Sequence, residues 1–168
     1  DEGYAIIQRA NVLIDEITKT DEEIWQENQR EIALAEARFF RAFVYRNLVI
    51  LYGDVPLVTE PITSIKTDFV RDPVSDVYAQ IEADLLYAAQ NLPTPGQEDA
   101  PGRVTQGAAY HLLSEVYLAQ EKFQAAVDAA STVINDFGYA LMTSRFGTQL
   151  DNDAFGDGDA YYDLFRYG

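Results

Sequence analysis

The feature that most constrains this chain is the stretch 35–61, AEARFFRAFVYRNLVILYGDVPLVTEP. Phe39, Phe43, Leu48 and Leu51 fall close to helical spacing, and Phe40, Val44 and Ile50 widen the stripe. A helix apolar over so much of its circumference is expected between other helices rather than on a surface. Gly53 and Asp54 stop it, because glycine enters the left-handed turn at a helix C-terminus at little steric cost. Pro56 and Pro61 then hold the chain extended. Arg38 and Arg41 sit within this helix, where a buried guanidinium must meet carboxylates or carbonyls. Glu36 or acids distant in sequence are the expected partners. Both arginines read as structural clamps for the Tyr52-Gly53-Asp54 turn, with a ligand contact as the alternative.

The rest of the chain supplies the neighbours that such a helix needs. Ile6, Ala10, Leu13, Ile14 and Ile17 recur at steps of three and four, which predicts an amphipathic helix over 4–18. Thr20 or Asp21 can cap the next one, and the acidic first turn of Asp21, Glu22 and Glu23 favours a single helix from 21 to 52. Trp25 lies on this stretch and is expected to be a packing anchor, an exposed sugar-stacking indole being the alternative. Residues 53–72 are the longest irregular stretch between helices, with Val55, Leu57 and Thr59 alternating as in a short strand or extended arm. Asp72 as cap and Pro73 at the first position predict a helix over 73–91, burying Val77, Ile81, Leu85 and Ala88 or Ala89. Prolines and glycines over 93–102 mark an exposed loop.

Thr105 caps a further helix, 105–120, carrying Ala109, Leu112, Leu113, Val116 and Tyr117. A last helix runs over 122–137 and stops at Gly138. This pair, 107–140, fits a 34-residue tetratricopeptide unit with Tyr110, Leu113, Ser114 and Tyr117 on its first helix and Ala126, Ala130 and Val133 on its second. An earlier unit reads as split, its two helices separated by the 53–72 insertion. The predicted class is all-α, with tetratricopeptide-like helical repeats, one long inter-helix insertion and an irregular segment over 139–168. A unit of this kind needs neighbours to bury its apolar face.

Composition narrows the function. A net charge of −16 would repel the phosphates of nucleic acid and disfavours an anionic membrane surface. No run of about 18 uncharged apolar residues is present to span a bilayer as a helix. The absence of cysteine removes disulfide, thiolate and zinc-thiolate chemistry.

Glu36, Arg38, Phe39, Arg41, Ala42, Tyr52, Gly53, Asp54, Pro56 and Leu57 together resemble the signature of the SusD/RagB family, the outer-membrane nutrient-binding lipoproteins of Bacteroidetes. In that family an acidic, arginine- and aromatic-bearing helix leads into a Tyr-Gly-Asp-x-Pro-Leu turn. The run YAIIQRANVLIDEI is similar to the family's preceding helix, and Tyr162-Asp163-Leu164-Phe165 to a stretch after its repeat pair. The resemblance covers the N-terminal portion of a typical member. It implies binding of a glycan or other nutrient at the outer face of the outer membrane, on a lipid-anchored protein that delivers to a TonB-dependent transporter of the SusC type. A tetratricopeptide scaffold that binds only protein, or a structural subunit, is the alternative.

No catalytic constellation is present in the sequence, and a non-enzyme is expected. His111, the sole histidine, lies on a helix beside Tyr110 and Leu112 without a nucleophile motif and reads as packed or surface-borne. Asp151, Asp153, Asp157 and Asp159 in DNDAFGDGD resemble a calcium loop, where oxygen ligands alternate around a tight turn. Phe155 replaces one expected ligand, however, and Tyr162 stands where the bidentate glutamate belongs, so a solvated acidic loop is the plainer reading. Tyr161, Tyr162, Phe165 and Tyr167 either stack on sugars or pack their loop against the helices. The sequence assigns no ligand-binding residue.

Overall fold

The computed structural model describes residues 2–140, within which residues up to 137 form one compact unit. Among the described residues the regular structure is all helical: α1 (Glu2–Lys19), α2 (Gln29–Tyr52), α3 (Val74–Asn91), α4 (Gln106–Ala119) and α5 (Phe123–Asp136), with one short 3-10 turn at Glu22–Ile24. Each helix packs on the next in sequence, α1 on α2, α2 on α3, α3 on α4 and α4 on α5. The short connection between α4 and α5 makes them an antiparallel pair. α2 and α3 pair likewise, with 53–72 looped out between them. The irregular segment, the aspartates of the calcium-like loop and the tyrosine cluster lie outside the described residues, apart from 139–140.

The core follows the predicted periodicity on α3 and α4. Val77, Ile81, Leu85, Ala88 and Ala89 of α3 are buried, as are Ala109, Leu112, Leu113 and Val116 of α4. The small residues let helices approach closely, and Gly3 does the same for α1: a Cβ there would stand 3.2 Å from Val44 Cγ1. α5 buries only Ala126 and Ala129, and its Phe123, Val127 and Ile134 are exposed.

Three expectations are corrected. The helix predicted from 21 begins at 29. Asn28 takes a left-handed conformation (φ 63°) and Trp25 an extended one, so the acidic run 21–24 closes a single 3-10 turn. Asparagine tolerates that φ because its short polar side chain can bond locally, and no proline or glycine announced the break. Second, α2 is not enclosed all round. α1 and α3 cover Ala35, Phe39, Ala42, Val44, Tyr45 and Val49, whereas Phe40, Phe43, Ile50 and Leu51 are exposed. Phe39 nevertheless stacks on Phe43 at 6.4 Å and meets Phe40 edge-on at 5.5 Å, which ties the exposed rings to the core. Ile6 and Leu13 of α1 are likewise exposed, and the buried set there is Ile7, Ala10, Asn11 and Ile17.

The third concerns capping. Pro73, not Asp72, stands at the N-cap of α3, and the side chain that satisfies its first turn comes from Asp54, whose Oδ1 accepts from Val74 N at 2.9 Å. Asp72 turns the other way: its Oδ2 accepts from Leu57 N at 2.7 Å, and its backbone forms an isolated antiparallel bridge with Val55. The alternation over 55–59 therefore makes one bridge rather than a strand. Thr105 occupies the N-cap of α4 as predicted, but it makes no side-chain capping bond.

Candidate functional site

The insertion 53–72 is the longest irregular segment of the packed unit, and it leaves α2 at Gly53, whose φ of 68° favours glycine. Its outgoing limb, 55–62, is an extended arm that crosses α1 and α2. Residues 62–72 then form a hook that returns to the start of α3. The two limbs face each other across an open hollow of about 520 Å³, whose lining includes Thr59, Thr63, Ser64, Lys66, Asp68 and Phe69. A second hollow, about 290 Å³ and apolar, lies under it between Tyr4, Ile7 and Gln8 of α1 and Pro56, Val58, Ile62 and Phe69. At the hook, Ile65 is 96% exposed and the Lys66 ammonium lies 5.3 Å from the Phe69 ring centre.

What places this arm is a line of buried polar side chains. Asp84 on α3 is fully buried and receives two hydrogen bonds from Arg41, from Nε to Oδ2 and from Nη2 to Oδ1, each 2.8 Å. This is the fork-on-carboxylate geometry that only arginine provides. Gln80 Nε2 donates to Oδ1 of the same carboxylate at 3.1 Å. Arg41 Nη1 donates onward to Asn11 Oδ1 at 2.8 Å and to the Thr59 carbonyl at 3.2 Å. Because arginine only donates, the Asn11 atom facing it must be the oxygen. The Asn11 amide nitrogen is thereby aimed at the arm, donating to Val58 O at 2.9 Å and Glu60 O at 3.2 Å.

Tyr45 reinforces the same point. Its hydroxyl accepts from Val58 N at 2.7 Å and donates to Val58 O at 3.0 Å. Burial pushes its phenol up to about 12. Tyr4, edge-on to Tyr45, donates to Pro56 O at 2.9 Å, and its pKa is also raised by burial.

Arg41 is paired with an acid distant in sequence, one of the expected partners, but what it clamps differs from the expectation. Arg41 fixes the arm after the Tyr-Gly-Asp turn rather than the turn itself, and its acid is Asp84. Glu36 instead pairs with Arg103 of the 92–105 loop at 2.5 and 2.8 Å, and Arg103 also grips Asp99. Those bonds raise the Arg103 pKa, with the Glu36 hydrogen bond as the main cause. Arg38 lies over the Tyr87 ring at 4.3 Å, with Nη1 3.9 Å from Asp84. His111 is exposed near Glu115, and Trp25 is half-buried beside the 3-10 turn. Asn11, Asp84 and Gln8 carried no signal in the hydrophobic pattern. The only hint was the need for a partner to Arg41.

Residues 1–118 match the family described as SusD-like, starch-binding and associating with the outer membrane. This chain belongs to the SusD-like family. SusD-like protein P2 of Formosa agariphila is 36% identical over 155 residues, which is 90% of this chain and 28% of that protein. A laminarin-binding SusD-like protein of known structure superposes with a TM-score of 0.77 at 36% identity, over 84% of this chain and 32% of that one. A structure with xylogluco-oligosaccharide gives 0.73 at 28% identity, over 84% and 30%. The SusD-like chain described here thus spans under a third of the length of each of these relatives.

Proposed function

We propose that this SusD-like chain contributes to the capture of a glycan, by binding without chemistry. The observation that carries the reading is its match, at 36% identity and a TM-score of 0.77, to a laminarin-binding relative. The described residues fit the task in one place. The hook hollow offers hydroxyls, an ammonium and a carboxylate beside the Phe69 ring, which suits sugar hydroxyls and an apolar sugar face. Such a protein would stand at the outer face of the outer membrane, held by a lipid anchor on the full-length protein, and deliver its glycan to a TonB-dependent transporter of the SusC type.

Affinity electrophoresis in gels containing laminarin or xyloglucan tests the binding. Retardation supports glycan capture, and unretarded migration in both would refute it for these two β-glucan classes. A second reading, a scaffold that binds only protein, is favoured by the exposed Phe40, Phe43, Ile50 and Leu51 of α2. It predicts unretarded migration together with co-purification of a protein partner. Recovery with an outer-membrane barrel from native membranes tests the transporter.

A further inference from the structure

The backbone bonds that hold the arm come almost entirely from side chains rather than from a β-ladder. Pro56 O is met by Tyr4, Leu57 N by Asp72, both polar groups of Val58 by Tyr45, Thr59 O by Arg41 and Glu60 O by Asn11. At the outer end Gln8 meets both polar groups of Ile62: Nε2 donates to Ile62 O at 3.1 Å, and Ile62 N donates to Oε1 at 3.0 Å. Each of these bonds engages the arm through its main chain and not through its side chains. Arg41, Asn11 and Tyr45 are buried, whereas the Gln8–Ile62 pair is exposed. Beyond it, among the described residues, 63–71 form no hydrogen bond or ion pair, and the hook is fastened again only at Asp72. The polar fastening of the hook therefore comes down to two points, of which one is the single exposed Gln8–Ile62 pair.

We propose that the groove between α1 and α2 is a main-chain clamp and that Gln8 is its latch, a positioning residue for the hook and for the hollow that the hook encloses. A primary amide is suited to this, since it presents a donor and an acceptor side by side, matching the N–H and C=O of one extended residue. Opening the latch frees the hook from Ile62 onward and withdraws Ile62 and Phe69 from the wall of the apolar hollow. The line Asp84–Arg41–Asn11 stays in place. Any effect on glycan binding rests on the reading given above; the motion of the hook does not.

The test compares the parent chain with Gln8→Leu and Gln8→Glu by hydrogen exchange, by mapped trypsin cleavage and by laminarin affinity. Leucine removes both bonds, whereas glutamate keeps the acceptor for Ile62 N and loses the donor to Ile62 O. In Gln8→Leu, exchange in the peptide holding Ile62 should rise about tenfold, and cleavage after Lys66 should quicken by a similar factor. Protection of α1 and α2 should be unchanged, with Gln8→Glu in between. Laminarin affinity should fall in the same order. Unchanged exchange at Ile62 and unchanged cleavage at Lys66 would overturn the latch, as would loosening spread equally over α1 and α2. A parent chain that does not bind laminarin refutes the glycan site for that ligand and leaves the exchange data to decide the latch.

Discussion

Replacing Arg41 by methionine removes the guanidinium from Asp84, Asn11 and Thr59 while keeping most of the apolar stem. Asp84 would then remain fully buried with Gln80 and, at 3.9 Å, the half-exposed Arg38 as its neighbours. Stranding one member of a buried ion pair costs about 3–5 kcal/mol. For a domain of this size a kilocalorie corresponds to roughly 3 °C, so the melting temperature should fall by about 10–15 °C. The double variant Arg41→Met/Asp84→Leu separates the charge from the packing. It removes the stranded carboxylate and should recover more than half of the loss. The remainder, about 1–2 kcal/mol, is the cost of leaving Asn11 Oδ1 and Thr59 O without this donor. Thermal and urea unfolding of the parent, both single variants and the double variant give the coupling directly. A loss under about 1 kcal/mol for Arg41→Met, or a double variant no more stable than it, would refute the placement of this pair at the centre of the fold.

Two further outcomes follow from the same contacts. Because the Tyr45 phenol is raised by burial to about 12 in the folded chain, against an ordinary value near 10, its contribution to stability is complete below pH 10 and is lost as pH rises through about 12. Tyr45→Phe should therefore unfold less steeply across that window, by about one proton, in urea titrations between pH 9 and 12. Asp54→Ala removes the acceptor for Val74 N and should cost about 1 kcal/mol, with increased exchange confined to the first turn of α3.

Helices α3 and α4 were legible because their burial follows period, and the stop at Gly53 because a left-handed turn has few chemical solutions. The polar half of the structure was less so. An asparagine in α1 and an aspartate in α3 look like solvated residues until Arg41 brings them together across 30 and 43 positions of sequence. The break at Asn28 was hidden for a related reason: its left-handed φ is permitted to asparagine but not required of it. The width of the apolar stripe on α2 was misread because periodicity reports which residues avoid water, not which partner covers them. Phe40 and Phe43 show that difference. Nothing in the sequence indicated that the arm would be held by side chains, since Gln8 is an ordinary polar residue on an amphipathic helix.

A segment held by its carbonyls and amides imposes little on the identity of its own residues. Most exchanges over 57–62 keep the groups that Tyr45, Arg41, Asn11 and Gln8 engage, proline at Val58 or Ile62 being the evident exception because it deletes an amide donor. The hook beyond is freer still. The frame therefore tolerates variation over the hook and resists it at the gripping side chains, so the hook can drift while the helices stay as they are. Libraries randomised over 63–71 on an otherwise fixed chain should consequently yield a high proportion of folded members.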